Sequence, residues 1–384
     1  MSISTGQMLS RSLPNPSGPR PSGSRPTAVV YCEANFGQID GKTANGLVRH
    51  SERYEIVAVV DSQQSGADAG MALDGLANGI PIRRDLDDAL ANILALPDFL
   101  IFGIAPSSGT LSTTERGLLL DAMSRGMGIV NGLHEFLNDD AEFAAASAIN
   151  GVPIIDVRRP RATASLRTFT GRIHEVTCPR ITVMGTDCAI GKRTTATALT
   201  RALNDRGVHA VMVGTGQTGL IQGARFGIAM DAVPAQFGAG ELEATIVEAF
   251  EAEHPDVIIV EGQGALSHPA YSSSASILRG SCPQGVVLQH APARTTRCDF
   301  PAFAVPTPAS EIALIESFTS TRVIGLTLNH EHLTDVEVEA AITSHAAELG
   351  LPVTDALTRS PERLVDMVAD AFPEIRRKLT AGVA

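Results

Sequence analysis

The run Gly185-Thr186-Asp187-Cys188-Ala189-Ile190-Gly191-Lys192-Arg193-Thr194-Thr195 holds the densest set of chemistry-bearing residues in this sequence. It follows the apolar stretch Ile181-Thr182-Val183-Met184, which reads as a buried strand, and precedes Ala196–Asn204, which is strongly helical. Glycines let a backbone turn its N–H groups inward, a helix N-terminus adds partial positive charge, and Lys192 adds a full one. Together these suit a di- or triphosphate. The plainer reading is a tight turn with a solvated lysine. In the common phosphate loop a Ser or Thr follows the lysine and its hydroxyl holds Mg²⁺. Here Arg193 takes that place and Thr194 comes one residue late, about 100° around the helix. The second cation substitutes for charge that magnesium neutralises, which weakens the case for ATP hydrolysis and favours a phosphorylated cofactor held without metal.

Asp187, Glu261 and His268 are the candidate catalytic residues. Val257-Ile258-Ile259-Val260 is a buried strand that delivers Glu261 and Gly262-Gln263-Gly264 to the sheet edge where α/β proteins bind ligands. Glu261 there is a metal partner, a general base, or a solvated strand-end acid. His268 titrates near neutral pH in its unperturbed state, although a lone loop histidine is more often structural. Gly214-Thr215-Gly216-Gln217-Thr218-Gly219 could approach a ligand backbone-first, or be a flexible loop. His290, Arg294 and Arg297 follow another strand, and the two arginines could clamp substrate carboxylates or simply be surface charges. Near the N-terminus, Asn35-Phe36-Gly37-Gln38-Ile39-Asp40-Gly41-Lys42-Thr43 reads as a shortened phosphate loop or a degenerate dinucleotide turn. Lys42 is its candidate substrate-binding group, and Asp61 ends the next strand where a ribose-binding acid often sits.

These residues need a scaffold, and the alternation of apolar strands with helical stretches supplies one. Ala28–Ala34, Tyr54–Val60, Phe99–Ile104, Gly128–Asn131 and Val152–Val157 read as strands, with helices near Thr43–Ser51 and Leu111–Arg125 and a turn at residues 105–109. The pattern weakens over Arg158–Pro179 and restarts with Arg180–Met184, Ala210–Gly214, Val257–Val260, Gly285–Leu288 and Val323–Leu328. Amphipathic helices are predicted at Leu333–Leu349 and Ser360–Leu379. Continuous apolar strands between helices imply parallel sheets covered on both faces. The expected organisation is a disordered Ser/Pro/Gly/Arg-rich tail over 1–27, a Rossmann-like domain over 28–160, a linker over 161–179 and a P-loop domain over 180–384.

Composition narrows the partners. A net charge of −12 argues against a nucleic-acid-binding face, and the apolar runs are far shorter than a membrane span needs. Five scattered cysteines without a C-x-x-C pair argue against disulfides and a thiolate zinc site, and fit a reducing compartment. With no apolar leader apparent, the expected location is the cytoplasm. No metal requirement is expected, and a symmetric homo-oligomer is the default assembly.

The Gly-Thr-Asp opening of the loop and the Glu261-Gly262-Gln263-Gly264 strand end resemble dethiobiotin synthetase-type P-loop proteins. A closer resemblance is to a bacterial family first labelled only as a domain of unknown function, whose characterised members are D-glutamate N-acetyltransferases. It covers nearly the whole chain after the tail. It is carried by Ala34-Asn35-Phe36-Gly37, Gly41-Lys42-Thr43-Ala44, Val60-Asp61-Ser62, Gly185–Thr195, Glu241, Glu261–Gly264 and Ser267-His268-Pro269. The resemblance implies acetyl transfer from acetyl-CoA to the amine of D-glutamate. On that reading Gly185 to Thr195 bind coenzyme A phosphates, Glu261 or His268 takes the amine proton, and Arg294 and Arg297 hold the glutamate carboxylates. Two alternatives stand beside it: an ATP-dependent ligase or kinase of the dethiobiotin synthetase kind, and a nucleotide-binding protein without turnover.

Overall fold

The computed structural model describes residues 24–106 and 108–381. The first 23 positions of the expected tail, and Ser107 of the expected turn, lie outside the described residues. The chain divides into two compact units. The first comprises residues 1–162 and 216–232, the second residues 163–215 and 233–384.

The first unit is a Rossmann-like sheet of six parallel strands. Their spatial order is Ile82–Arg83, Glu55–Val60, Thr27–Tyr31, Phe99–Phe102, Gly128–Asn131 and Ile154–Asp156. The order reverses direction between Thr27–Tyr31 and Phe99–Phe102, which makes their carboxyl ends the switch point of a doubly wound sheet. Val29, Val30, Leu100, Ile101, Ile129 and Val130 are fully buried, as the continuous apolar runs require when helices cover both faces. Helix Thr113–Ser124 begins at a reciprocal capping box between Ser112 and Glu115. Of the glycine-rich segment read as a ligand loop, Gly214 ends a strand and the second half enters a helix, Gln217–Gln222. It packs in the first unit: Thr43 and Thr218 hydroxyls meet at 2.9 Å, and Gln222 Nε2 donates to Gly46 O at 2.7 Å and His50 O at 2.8 Å.

The second unit is the P-loop domain. Six of its strands run parallel in the order Val353–Asp355, Val323–Leu328, Gly285–His290, Arg180–Gly185, Val257–Glu261 and Ala210–Gly214. The phosphate-loop strand Arg180–Gly185 is therefore central, with Glu261 and Gln289 at the ends of its two neighbours. Helix Lys192–Asn204 packs Ala196, Leu199 and Leu203 onto this sheet beside Ile181, Val183 and Val257. The single helix expected over Ser360–Leu379 is two, Glu362–Ala371 and Pro373–Ala381. Pro373 opens the second helix, because a proline ring blocks an uninterrupted helix yet suits a first turn. Residues 163–179 are strapped to helix Ala235–Glu253. Glu243 accepts from the N–H groups of Thr170 and Ile173, and buried Glu241 pairs with Arg167 at 2.8 Å. Among the described residues, no helix is long and apolar enough to cross a membrane.

Candidate active site

Gly185 ends the central strand, and a Cβ there would sit 2.9 Å from Lys192 Cδ and from Ile190 Cδ1, so a larger residue would displace those side chains. That space lets the Lys192 stem lie over the strand end, and its Nζ donates to the Asp187 carbonyl. Burial pushes the Lys192 ammonium below its usual lysine range, since a charge out of water lacks solvation. Ala189 and Gly191 both take positive φ, 50° and 101°, and this bends the loop into helix Lys192–Asn204. Among the described residues the backbone N–H groups of Ala189, Ile190 and Gly191 donate no hydrogen bond, so they remain open to an anion.

The threonines around the lysine divide their tasks. Thr186 Oγ1 lies 2.9 Å from His290 Nδ1, and Thr195 Oγ1 donates to Gln289 Oε1 at 2.6 Å. Gln289 also accepts from the Thr327 hydroxyl. The Thr195 hydroxyl is thereby committed to the neighbouring strand. Arg193 and Thr194 are half-buried on the first turn of the helix.

Asp187 is the hub. Its side chain is fully buried, and its Oδ2 accepts from Arg294 Nη1 at 2.9 Å and from the Cys298 N–H at 2.8 Å. Its Oδ1 is buried and accepts no hydrogen bond. Across a 3.9 Å gap stands His268 Nε2, also buried and also without a partner. The Ala270 N–H donates to His268 Nδ1 at 3.2 Å, so the neutral ring carries its proton on Nε2 and aims it at the gap. Burial and the nearby Arg297 guanidinium lower the His268 pKa, which keeps the ring neutral. Tyr271 stacks on the imidazole with centroids 4.5 Å apart, and Phe300 closes its edge at 5.3 Å.

Half-buried Cys188 completes this corner: ligand-type atoms of Asp187, Cys188 and His268 all lie within 4.8 Å of one another. An oxygen, a sulfur and a nitrogen so close could geometrically hold a metal ion. With Nδ1 accepting from the Ala270 N–H, the neutral ring presents its Nε2–H to this corner as a hydrogen-bond donor.

The structure gives the two arginines different tasks. Arg294 was expected to clamp a substrate, but all five of its N–H groups are used inside the protein. They reach Asp187 Oδ2, the Cys188 and Ala189 carbonyls, and both Glu331 oxygens. It is a brace for the loop. Arg297 is less committed, donating to Thr186 O at 3.5 Å and to Ser267 through Oγ at 2.9 Å. Glu261 Oε2 accepts the Thr215 N–H at 3.0 Å, and its carboxylate is among the negative charges near Lys192. Lys42 belongs to the first unit, exposed at the first position of helix Lys42–Arg49. Asp61 is a turn-holder: its oxygens accept from the Phe36 and Gln63 N–H groups, each at 3.0 Å.

Sequence reasoning missed Glu311. This fully buried acid, on helix Pro308–Phe318, accepts from the Leu266 and Ser267 N–H groups and the Ser267 hydroxyl, and so fixes the loop that carries His268. Glu331 and Gln289 were missed as well. Gln289 alone left a signal, as a polar residue at the end of an apolar strand.

Two family models cover the chain. A domain of unknown function with a P-loop, the C-terminal DUF1611 domain, matches residues 167–365, and its Rossmann-like N-terminal companion matches residues 62–160. A relative from Tritonibacter scottomollicae named D-glutamate N-acetyltransferase is 32% identical over 70% of this chain and 80% of its own. Another of that name, from Pseudoalteromonas sp., is 30% identical over 69% of this chain and 79% of its own. The crystal structure of a DUF1611 family protein from Anabaena variabilis superposes with a TM-score of 0.82 at 32% identity, covering 90% of this chain and 100% of that one. With the Rossmann-like and P-loop units in the same order and most of the chain matched, the protein belongs to the DUF1611 family.

Proposed function

We propose that the protein is an N-acetyltransferase that moves the acetyl group of acetyl-CoA to the amine of D-glutamate, as a step in using that D-amino acid. The names of the two relatives support the reaction class. The observation that carries the local chemistry is the open pair of Asp187 Oδ1 and His268 Nε2, both buried and 3.9 Å apart. A buried acceptor and a buried donor without partners cost free energy unless a ligand completes them.

An acetyl transfer needs that combination. As the amine nitrogen bonds to the thioester carbon, Asp187 Oδ1 takes its proton and the His268 Nε2–H steadies the oxygen that gains charge. The carbon–sulfur bond then breaks, and the proton held by Asp187 passes to the departing thiolate. His268 acts as a donor here, in place of the proton acceptor expected from its residue type. Glu261, bonded to the Thr215 N–H, offsets the charge of buried Lys192. Of the two arginines that follow the strand, Arg297 is the one less committed within the protein and is assigned here to a substrate carboxylate. None of the five cysteines forms a disulfide among the described residues, which fits the reducing cytoplasm proposed as its location.

Thiol release from acetyl-CoA tests the reading. D-glutamate should raise the rate well above the levels with L-glutamate or without amine. Equal rates in all three reactions would remove the proposal.

A further inference from the structure

The cysteines of this chain divide by their surroundings. Burial pushes the Cys178 thiol up to about 11 and the Cys298 thiol up to about 12, and it raises those of Cys32 and Cys282 as well. A thiol that stays protonated is a poor nucleophile. Cys188 is placed differently. It is half-buried, one residue after the hub aspartate. Its Sγ, a ring nitrogen of His268 and a carboxylate oxygen of Asp187 lie within 4.8 Å of one another. Both of those side chains are fully buried, and each keeps one atom without a hydrogen bond, Asp187 Oδ1 and His268 Nε2. Of the charges around buried Lys192, that of a Cys188 thiolate acts on the ammonium most strongly, ahead of Asp187. A sulfur in the field of a lysine, just ahead of a helix N-terminus, is in the setting that favours the thiolate. The backbone on either side is held. Arg294 Nη1 donates to Asp187 Oδ2 at 2.9 Å and to the Cys188 carbonyl at 2.7 Å, and Nη2 donates to the Ala189 carbonyl at 3.2 Å. The thiol lies beside Gly264, where a Cβ would stand 3.7 Å from Sγ.

We propose that Cys188 is a nucleophile that carries the acetyl group from donor to acceptor as a thioester on its own sulfur. This rests on the acetyl-transfer reading and divides that reaction into two steps. In the first, Cys188 Sγ bonds to the carbonyl carbon of acetyl-CoA, and the bond from that carbon to the coenzyme sulfur breaks. The thiol proton goes to Asp187 Oδ1 and passes on to the coenzyme thiolate. In the second, the substrate amine bonds to the same carbon and the bond from Cys188 Sγ to that carbon breaks. The amine proton returns through Asp187 Oδ1 to the Cys188 sulfur. The His268 Nε2–H steadies the carbonyl oxygen in both steps. Nothing is oxidised or reduced, and the first step exchanges one thioester for another, so the acyl group stays activated until the amide forms.

Mixing the full, unsubstituted chain with acetyl-CoA and no amine tests this. A burst of coenzyme thiol, one per chain, is expected, and the proteolytic fragment bearing Cys188 should gain the mass of one acetyl group that hydroxylamine removes. Fragments bearing Cys32, Cys178, Cys282 and Cys298 should stay unlabelled. D-glutamate should then discharge the label at least as fast as steady-state turnover, and initial rates over both substrates should give parallel double-reciprocal lines. Cys188→Ala should lower kcat by at least about 10³-fold, as loss of a nucleophile does. Intersecting lines with neither burst nor label overturn the proposal and leave direct transfer standing, and so does a kcat for Cys188→Ala within about threefold of the unsubstituted protein. Equal labelling of all the cysteines is ordinary thiol reactivity and overturns it too. A Cys188 label that D-glutamate fails to discharge removes the acceptor named above instead, with the acyl-thiol step intact.

Discussion

In each unit the first strand leads through a glycine-containing turn into a helix, and the two turns are satisfied in opposite ways. In the first, Phe36 N–H donates to Asp61, Gly37 N–H donates to Asn45 Oδ1 at 2.9 Å, and Gln38 N–H donates to Asn35 O. Its lysine, Lys42, points to solvent as an exposed residue. In the second, the lysine is buried, the hub aspartate keeps one oxygen open, and three consecutive amides are unbonded among the described residues. Similar residue types thus make a turn that holds itself and a turn that needs a ligand. The difference lies in whether side chains from neighbouring elements fill the donors.

Substitutions can break this contrast. The largest effect is expected at the open oxygen: Asp187→Asn keeps the shape and the Cys298 contact but removes the proton acceptor, so kcat should fall about 10²–10⁴-fold. Asp61→Asn, its counterpart in the closed turn, should leave kcat within about twofold. Next comes the brace. Arg294→Ala strands the buried Asp187 charge and leaves half-buried Glu331 without its arginine, and urea unfolding should show a loss of about 3–5 kcal/mol. A loss below about 1 kcal/mol would mean the loop holds its form without Arg294.

Protonation gives a further handle. Burial and the adjacent His345 push His290 down to about 4 from its ordinary 6.5. The unfolded chain therefore binds the extra proton first as pH falls. The contribution is complete above about pH 6.5, erodes toward about pH 4, and amounts to about 3 kcal/mol across that window. His290→Gln should flatten this part of the stability–pH curve. In the closed turn, Asp61→Ala leaves two backbone N–H groups without their acceptor, and should cost about 2 kcal/mol in unfolding free energy with KM unchanged. The smallest effect is set for Lys42→Ala, which should alter KM for D-glutamate by less than about twofold.

The core strands were legible because burial on both sheet faces demands apolar runs, and Val257–Val260 or Gly285–Leu288 have no other stable use. Ile82–Arg83 and Val353–Asp355 were not, since two or three residues carry no period. Helix Gln217–Gln222 was hidden by Gly219 within it and Gly214 and Gly216 before it, and the low helix propensity of Gly219 is overridden by packing on helix Lys42–Arg49. In the site, the loop and His268 announce themselves by residue type. Their roles depend on strand order. Because Gly285–His290 lies beside Arg180–Gly185, the chain beyond it brings Arg294 onto the loop as a brace, a fact about the sheet that no local spacing encodes. The His268 tautomer likewise follows from one backbone N–H, that of Ala270.

The excursion of residues 216–232 has a consequence for how the molecule is made. Leu220, Ile221 and Ala229 are part of the first unit's hydrophobic core, yet they are encoded beyond the first two strands of the second unit's sheet. During synthesis, a nascent chain that has emerged through residue 162 still lacks these core side chains. The N-terminal unit must therefore wait, incomplete, while part of its successor is already being extended. Cutting the gene between the two sheets would not release two finished domains: the first would lose a piece of its interior, and the second would carry that piece with nothing to bury it.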